Sequence, residues 1–422
     1  MKVLWIVNKP IGALHEKLSG KKATGGLWME AMLQKARYDK SMSIVIVNIS
    51  KIRRIQKYIY DSNEVYYTIP GEPNARYNYK SSKAHHYWRT IIDAERPNII
   101  ELWGTEMPFG IPALEEARDI PSVIYVQGIL ESIGRYYCAG LTPHEIKKSR
   151  TLRDILTSSS IEQIQKKYLK RAAIESKIVS MSKNIIVENQ WAESYYLKIC
   201  NNIRVFRCPL SISEVFSTIQ WSVDKMQPYS IMCSAANYPI KGLHMLLKAV
   251  NLVRIYYPKV QLFIPGTPLR PINSIKSWIK QNGYDKLIHS MISEMNLETA
   301  VCYTGRLTAE QMAHKMSEMN AFVMCSAIEN HSSTLKEAMT VGVPCVSSYV
   351  GGVPEYAQSG KNCLLYRFED YEHLALNLIH LFRSQELCCK LSIQSRMDMK
   401  KSRENNDYYQ ISKNIYKTIL EG

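Results

Sequence analysis

The sequence predicts an α/β protein made of two doubly wound, Rossmann-like domains. The first observation is length, since 422 residues exceed one ordinary hydrophobic core and fit two domains of about 200 residues each. The second is that strand-like apolar runs alternate with helical stretches along the chain, which is typical of strand–helix–strand units and parallel sheets. The third is a stretch of little periodicity, residues 207–228, which indicates a link between the domains.

Nine apolar runs carry the strand prediction: residues 3–7, 43–47, 98–103, 122–126, 184–187, 230–234, 261–265, 321–325 and 344–348. We therefore predict a first domain at 1–210, a linker at 211–225, a second domain at 226–395 and a terminal helical segment at 396–422. Two such domains in series are expected to face each other across a cleft at the carboxyl ends of their strands, where open parallel sheets bind ligands.

Composition excludes several classes of protein. Hydrophobic residues make up 46% of the chain and charged residues 22%, as in globular proteins, and no run approaches the roughly 18 apolar residues of a membrane helix. The apolar run after Met1 is too short for a signal peptide, so we predict a first buried strand and a cytoplasmic protein. Ten cysteines without a CxxC pair predict reduced, mostly buried thiols.

The net charge of +16 favours an anionic partner. No zinc finger, basic-aromatic strand signature or long basic run is present, so we predict no nucleic-acid partner. Lys147–Arg150 and Gln165–Arg171 are candidates for peripheral contact with an anionic membrane surface. A solvated helix face is the alternative for both segments.

The most informative segment, residues 325–338, has the sequence CSAIENHSSTLKEA. A strand ends there, a polar loop follows, and a helix begins near Ser332. Glu329 and Glu337 are eight positions apart, at most about 12 Å at the helical rise of about 1.5 Å per residue. That is the reach from a sugar ring to a nucleoside ribose across a diphosphate, and the helix start between the acids would offer N–H groups to the diphosphate. The alternative is that Glu337 is a surface residue and that Ser332, Ser333 and Thr334 only cap the helix.

Two glycine-containing turns follow other strand runs of the same half. Lys241–Gly242 opens a helix after residues 230–234, and a Lys beside Gly is well placed to neutralise a phosphate because Gly lets the backbone come close. Gly351–Gly352 follows residues 344–348 and suits a tight turn beneath a ligand. An ordinary strand-to-helix turn is the alternative.

The first half carries weaker signals. Gly25–Gly26 opens a helix, a phosphate-compatible entry without the full GxGxxG fingerprint. Glu106 and Gln127 follow two further strand runs, so we expect both to lie on the same rim and to face an acceptor.

These motifs resemble the family 4 glycosyltransferases, retaining enzymes of the GT-B fold that include many bacterial capsule and exopolysaccharide transferases. The likeness is specific between residues 238 and 365 and looser in the first half. The motifs that carry it are Lys241–Gly242, Pro265–Gly266, Tyr303–Leu307, the Glu329/Glu337 pair, Gly342–Pro344 and Gly351–Glu355, with Gly25–Gly26, Trp103–Glu106 and Gln127–Gly128 in the first half.

The resemblance implies roles for the matching residues. Glu329 resembles the acid that contacts the transferred sugar, Glu337 the ribose ligand and Lys241 a diphosphate ligand, while Gln127 stands at a catalytic position on the acceptor side. The other implied donor-site residues are Gly25 and Gly26, Arg306 near the base, Ser332, Ser333, the backbone N–H groups of Thr334 and Leu335, and His331. The segment 396–422 would cross back onto the first domain.

Two departures from the family pattern concern the diphosphate site and the acceptor side. An Arg that usually precedes the Lys–Gly pair by five residues is Ala236 here, and a His common on the acceptor rim is replaced by Gln127, with Trp103 where another His is common. Either the acceptor site is built differently or the enzyme is slow. His331 is a candidate to restore part of the missing positive charge, with space filling as the alternative.

The sequence thus predicts a retaining hexosyltransferase that moves a sugar from a nucleoside-diphosphate-sugar to a glycan or lipid-linked glycan acceptor, in surface polysaccharide synthesis. No Asp-x-Asp motif occurs, so we predict no metal and no cofactor, with Lys241, Arg306 and the helix start neutralising the diphosphate. A catalytically silent nucleotide-sugar-binding protein is the main alternative. An epimerase or oxidoreductase is disfavoured by the motif order and the missing GxGxxG.

Overall fold

The computed structural model contains two parallel-rich β-sheets, each in its own compact unit. It describes residues 1–20, 27–72, 74, 76–199, 202–210, 212–234, 238–268 and 280–422. Unit 1 consists of Met1–Leu130, Lys170–Ser211 and Asn406–Gly422, and unit 2 of Glu131–Leu169 and Ile212–Asn405.

The sheet of unit 1 has the strand order β3-β4-β2-β1-β5-β6-β7-β8. All neighbours pair in parallel except β3 and β4, which are antiparallel. Successive residues of β1 enter different hydrophobic clusters, because helices cover both faces of the sheet. Leu4 belongs to one cluster and Trp5 to the other. The strands are β1 (Lys2–Val7), β2 (Ser43–Ser50), β3 (Gln56–Ile59), β4 (Glu64–Pro70), β5 (Ile99–Trp103), β6 (Ser122–Tyr125), β7 (Asn184–Val187) and β8 (Arg204–Arg207).

The sheet of unit 2 is parallel throughout, with the order β11-β10-β9-β12-β13-β14. The first strand along the chain, β9, lies in the middle, and the following strands add on both of its sides. The strands are β9 (Gln227–Cys233), β10 (Gln261–Pro265), β11 (Val301–Gly305), β12 (Met319–Met324), β13 (Cys345–Ser348) and β14 (Leu364–Tyr366).

Helices follow most strands, and several connections contain a short 3₁₀ turn, at Pro108–Gly110, Pro239–Lys241 and Val353–Glu355. The described helices are α1 (Gly12–Ser19), α2 (Leu27–Tyr38), α3 (Ser82–Glu95), α4 (Ile111–Glu116), α5 (Leu130–Tyr136), α6 (Pro143–Ser149), α7 (Leu152–Thr157), α8 (Ile161–Ser180), α9 (Gln190–Tyr196), α10 (Val215–Thr218), α11 (Leu243–Tyr256), α12 (Gly283–Glu294), α13 (Ala309–Ser317), α14 (Ser333–Val341), α15 (Tyr371–Arg383), α16 (Gln385–Asn405) and α17 (Tyr408–Leu420).

The nine predicted strand runs are confirmed as β1, β2, β5, β6, β7, β9, β10, β12 and β13. Five further strands were not predicted, namely β3, β4, β8, β11 and β14. The strands β3 and β8 are largely exposed and polar, and β14 has only three residues, so they lack the apolar run on which the prediction depends.

Contacts divide the chain differently from the predicted domain boundaries. Residues 131–169 lie within 1–210 but pack in unit 2, where Tyr137 and Ile161 enter its core. The expected linker 211–225 also contributes Phe216 and Trp221 to that core. Because these side chains come from segments with little apolar periodicity, the sequence did not reveal where they pack.

The terminal segment consists of two helices instead of one. The helix α16 begins before residue 396 and stays in unit 2, whereas α17 belongs to unit 1. In unit 1 the Tyr416 hydroxyl of α17 donates to the buried carboxyl of Glu101 on β5 and accepts from Trp5 Nε1 at 3.2 Å. This buried polar contact fixes α17 on the sheet.

Candidate active site

The turn after β9 and the loop after β12 lie at adjacent strand ends in unit 2. The strands β9 and β12 are paired neighbours, and β10 lies on the other side of β9. Open parallel sheets bind ligands where the strand order reverses in this way, beyond the carboxyl ends of the strands. Lys241 follows β9 and Glu329 follows β12, so both lie at this edge.

Glu329 and Lys241 form an ion pair. Lys241 Nζ donates to Glu329 Oε1, which also accepts from Ser326 Oγ at 2.6 Å. The two side chains are only 24% and 13% exposed. Burial favours the neutral amine, but the charge and hydrogen bond of Glu329 together with smaller contributions from Tyr238 and Cys325 outweigh it, so the pKa of Lys241 lies above its usual value. The structure thus brings these two predicted residues together.

Gly242 allows the turn that carries Lys241 to lie directly against β12. Its φ is +73°, and a Cβ there would come within 1.7 Å of the Cys325 carbonyl oxygen. The Ala327 N–H donates to the Ile240 carbonyl at 2.7 Å, which joins the same two segments. A glycine is therefore required here for close backbone approach.

Gly351–Gly352 supports the backbone of Glu329. A Cβ on Gly351, whose φ is +50°, would come within 1.8 Å of the Glu329 carbonyl oxygen, and the Gly352 N–H donates to that oxygen at 3.2 Å. The sequence predicted a tight turn beneath a ligand. The structure shows that the turn packs beneath Glu329 itself.

The start of α14 is capped by Ser332. Its Oγ accepts from the Leu335 N–H at 3.3 Å, and its carbonyl accepts from the Tyr356 hydroxyl at 3.4 Å. The Leu335 N–H, predicted as a phosphate donor, is therefore engaged by the cap. In the described part of the chain, the N–H groups of Ser333 and Thr334 have no acceptor, as expected for the first turn of a helix.

Glu337 lies one turn further along α14. Burial raises the pKa of its carboxyl to about 7, and among the described residues it has no hydrogen-bond or ion-pair partner. A half-buried carboxyl of this kind can accept hydrogen bonds from ligand hydroxyl groups. The alternative that Glu337 is an ordinary surface residue does not fit its burial.

His331 is neutral in this environment. Burial, with a smaller contribution from the nearby charge of Lys336, lowers the pKa of His331 well below its usual value. Its ring centroid lies 5.4 Å from that of Tyr356. The lowered pKa and the contact with Tyr356 favour the space-filling alternative for His331 over a positively charged role. Ala236, where the family has an Arg, lies outside the described residues.

Arg306 follows β11, the edge strand of this sheet. Its side chain is exposed, and Gly305 before it has a φ of +75° and accepts from the Gly266 N–H at 2.8 Å. The two glycines of Pro265–Gly266 and Tyr303–Leu307 thus meet at neighbouring strand ends. Arg306, like Lys241, lies at the carboxyl ends of the strands, and β11 is two strands away from β9.

The candidate residues of unit 1 lie at the carboxyl ends of β5 and β6. Burial raises the pKa of Glu106, although the positive charge of Arg171 nearby opposes this effect. Arg171 Nη2 also donates to the Glu106 carbonyl at 2.8 Å. Gln127 is partly exposed after β6. Gly25 and Gly26 lie outside the described residues.

Glu175 of α8 is a buried carboxyl that the sequence analysis missed. It accepts from Thr105 Oγ1 at 2.9 Å, the Leu130 N–H at 3.0 Å and the Tyr196 hydroxyl at 3.1 Å. Burial raises its pKa to about 7. Glu175 thus joins the chain after β5, which carries Glu106, to the chain after β6, which carries Gln127. A lone Glu in a long helix gave no sequence signal for this role.

Comparison with known families supports the reading of unit 2. Residues 217–398 match the family described as glycosyl transferases group 1. The N-acetyl-alpha-D-glucosaminyl L-malate synthase of Bacillus anthracis is 29% identical over 100 residues, which are 24% of this chain and 26% of that protein. The putative colanic acid biosynthesis glycosyltransferase WcaL of Salmonella typhimurium is 26% identical over 150 residues, 34% of this chain and 33% of that protein. The matched regions span about a quarter to a third of the length of these curated relatives.

Solved structures resemble the whole chain at low sequence identity. The sucrose-phosphate synthase of Thermosynechococcus elongatus has a TM-score of 0.73 at 13% identity, covering 100% of this chain and 99% of that chain. HepE of Anabaena, in complex with UDP and glucose, has a TM-score of 0.65 at 14% identity, with 100% of both chains covered. TarM of S. aureus, in complex with fondaparinux, alpha-GlcNAc-glycerol and UDP, has a TM-score of 0.62 at 11% identity, again covering both chains fully.

The chain has the GT-B fold, with two Rossmann-like domains. Its residues 217–398 are similar to the glycosyl transferases group 1. Within the described ranges, no helix is both long and apolar enough to cross a membrane.

Proposed function

We propose that this protein is a retaining glycosyltransferase that transfers a sugar from a nucleoside-diphosphate-sugar to a glycan or lipid-linked glycan acceptor. The observation that carries the proposal is the Lys241–Glu329 pair beside the N-terminus of α14, with the half-buried Glu337 one turn further on. These groups follow the two central strands of a domain that matches group 1 glycosyl transferases. The relatives' names and the UDP- and glucose-bound HepE structure support a donor of this class.

Each side chain then has a role that fits its surroundings. The carboxylate of Glu337 accepts hydrogen bonds from the ribose hydroxyls, and Glu329 accepts them from the transferred sugar. Lys241 and the N–H groups of Ser333 and Thr334 stabilise the diphosphate. A negative charge develops on the diphosphate as the glycosidic bond breaks, so these groups contribute most in the transition state.

We propose the following transfer step. The acceptor hydroxyl oxygen forms a bond to the anomeric carbon on the face that the diphosphate leaves, and the bond from that carbon to the diphosphate oxygen breaks. A phosphate oxygen takes the proton of the acceptor hydroxyl, so the products are a glycoside with retained configuration and a nucleoside diphosphate. Retention rests on the resemblance to family 4 enzymes. Surface polysaccharide synthesis is the setting that the resemblance to capsule and exopolysaccharide transferases favours.

We further propose that the reaction needs no metal ion. Lys241, Arg306 and the start of α14 supply positive charge where a divalent ion acts in other transferases. Donor binding in EDTA is then expected to equal donor binding in Mg²⁺.

Calorimetric binding of UDP, GDP and their common sugar conjugates tests the donor site. We expect one nucleotide to bind, Glu337→Gln to weaken its binding about tenfold through the lost ribose contacts, and EDTA to have no effect. Glu310→Gln, an exposed acid at the start of α13, is the matched control and should bind as the wild type does. Failure of the wild type to bind any of these nucleotides would contradict the proposal.

A catalytically silent nucleotide-sugar-binding protein is the second candidate, favoured by Gln127 at the position where relatives carry a His. The two candidates separate by product. Incubation of the bound donor with candidate acceptors, followed by NMR of the anomeric proton, should show a new glycoside with the donor's configuration. Binding without transfer or donor hydrolysis would favour the silent protein.

A further inference from the structure

The short helix α7 is held by its polar side and exposes its apolar side. Asp154 is 1% exposed, and its carboxylate accepts from the Thr151 N–H at 3.1 Å and from Ser159 Oγ at 3.3 Å. The apolar side chains have the opposite orientation: Leu152, Ile155 and Leu156 are 54%, 66% and 82% exposed. This is the reverse of the usual pattern, in which a surface helix buries its apolar face.

The helix is fixed in this orientation by specific contacts within unit 2. A Cβ on Gly283, the first residue of α12, would come within 2.7 Å of Asp154 Oδ2, so the two helices touch closely. Thr151 Oγ1 donates to the Gln281 carbonyl at 3.0 Å. Lys286 Nζ donates to the Lys148 carbonyl at 2.8 Å. The exposure of the apolar residues therefore results from a defined packing arrangement, and large apolar side chains exposed together on one short helix indicate a candidate interaction site.

Basic residues surround the patch. Lys147, Lys148, Arg150 and Arg153 are exposed, whereas Asp154, the one acid between residues 147 and 157, is buried. Lys148 and Arg150 pair with Glu294 and Glu162. In the described part of the chain, Lys147 and Arg153 have no carboxylate partner. The surface thus combines apolar side chains with an excess of positive charge.

We propose that α7 and the basic residues 147–153 dock this protein on an anionic lipid surface. The three apolar side chains would enter the boundary between head groups and acyl chains, while the cations contact lipid phosphates. A second copy of the chain fits this surface poorly, because a symmetric contact would bring the same cations together. The proposal goes beyond the proposed transfer reaction and does not depend on it, but it would place a lipid-linked acceptor close to the enzyme.

Vesicle co-sedimentation of the full chain tests this inference without donor or acceptor. We expect binding to vesicles of phosphatidylcholine with phosphatidylglycerol, little binding to phosphatidylcholine alone, and release at high salt. Ile155→Gln/Leu156→Gln should lower the apparent affinity about tenfold through the lost apolar contacts. Lys147→Gln/Arg153→Gln should lower it by a similar factor and weaken its dependence on salt.

The controls separate lipid docking from misfolding and from self-association. Ile255→Gln removes an apolar residue that is 71% exposed on α11, in the same unit, and should bind vesicles as the wild type does. Light scattering without lipid should give the same mass for the wild type and the Ile155→Gln/Leu156→Gln variant. The inference is overturned if the wild type does not prefer anionic vesicles, if the α7 variant binds as the wild type does, or if that variant turns a dimer into a monomer.

Discussion

The candidate residues of unit 2 and those of unit 1 are supported in different ways. In unit 2, Glu329 is held by backbone contacts from Gly351–Gly352, by Lys241 and by Ser326 of its own motif. In unit 1, the segments that carry Glu106 and Gln127 are joined by Glu175, which lies 70 residues from Thr105. The unit 2 site depends on glycines that lack a Cβ and on one ion pair. The unit 1 site depends on a buried carboxyl that accepts hydrogen bonds from three donors.

This difference has consequences for substitution. Glycines in contact with a backbone oxygen tolerate no Cβ, so the unit 2 site should respond steeply to a single added methyl group. A hydrogen-bonded carboxyl can be replaced by an amide of the same shape, so the unit 1 rim should respond more gradually. The substitutions below separate the two cases.

Gly242→Ala should have the largest effect. The added Cβ would lie within 1.7 Å of the Cys325 carbonyl oxygen, so the turn that carries Lys241 must move, at a cost of about 3 kcal/mol in unfolding free energy. Gly360→Ala is the matched control, because Gly360 has a φ of +74° but no atom within 4 Å of its Cβ position. It should cost only about 1 kcal/mol.

Chemical denaturation and nucleotide calorimetry measure both effects. Gly242→Ala should also weaken nucleotide binding more than about tenfold, whereas Gly360→Ala should leave it unchanged. Equal losses in the two variants would mean that the left-handed backbone, and not the contact with β12, determines the requirement for glycine.

The contrast between the units also explains how much the sequence could predict. The motif from Glu329 to Glu337 is contiguous, and strand, loop and helix start follow one another in the printed order, so local rules predicted where the strand ends and the helix begins. Glu175 could not be found in this way, because its three partners lie on separate segments. The role of Gly351 beneath Glu329 was missed for the same reason.

Segment placement shows the same limit. The central strands were predicted because both faces are buried and the apolar runs are continuous. Residues 131–169 were assigned to the first domain by chain order, but Tyr137, Ile146 and Ile161 of this segment pack in the core of unit 2. Packing partners far apart in sequence leave no periodic signal.

Lys241→Met should affect binding strongly but stability less than Gly242→Ala. The variant leaves the mostly buried carboxylate of Glu329 without its cation and removes the contact with the diphosphate, so nucleoside diphosphate binding should weaken by about 2 kcal/mol. Binding of the nucleoside without phosphates should not change. Lys248→Met is the control, because Lys248 lies on α11 of the same unit and pairs with Glu145 of α6. This variant should bind the nucleoside and the nucleoside diphosphate as the wild type does. A parallel loss for nucleoside and nucleoside diphosphate would argue against a phosphate role.

Glu175→Gln tests the rim of unit 1. The amide retains one acceptor oxygen but cannot accept from all three donors, so the segments after β5 and β6 should loosen. We expect faster hydrogen exchange at residues 104–107 and 128–130, and a few-fold higher KM for the acceptor with unchanged donor affinity. Glu193→Gln is the control, because Glu193 lies on α9, is more exposed and pairs with Arg207 of β8. This variant should change neither the hydrogen exchange nor the KM for the acceptor. If hydrogen exchange at residues 104–107 and 128–130 stays as in the wild type, Glu175 does not position these segments, even if the variant loses transferase activity.

The pH dependence of stability compares one carboxyl from each unit. Burial raises the pKa of both Glu175 and Glu337 to about 7, above the usual value of 4.5. A raised pKa means that the folded protein binds the proton more tightly than the unfolded chain does. The stability from each group is therefore complete below pH 4.5 and is lost as the pH rises to about 7, on the order of 3 kcal/mol for each group.

Unfolding free energies between pH 5 and pH 8 measure this slope. Glu175→Gln and Glu337→Gln should each flatten it, because the amide does not titrate, and the exposed Glu310→Gln should leave it as in the wild type. The two carboxyls differ in one respect, since Glu175 has three donors that favour its ionised form, whereas Glu337 has none among the described residues. If burial dominates at both sites, the two variants remove similar slopes; a much smaller change for Glu175→Gln would show that the donors in unit 1 offset its burial.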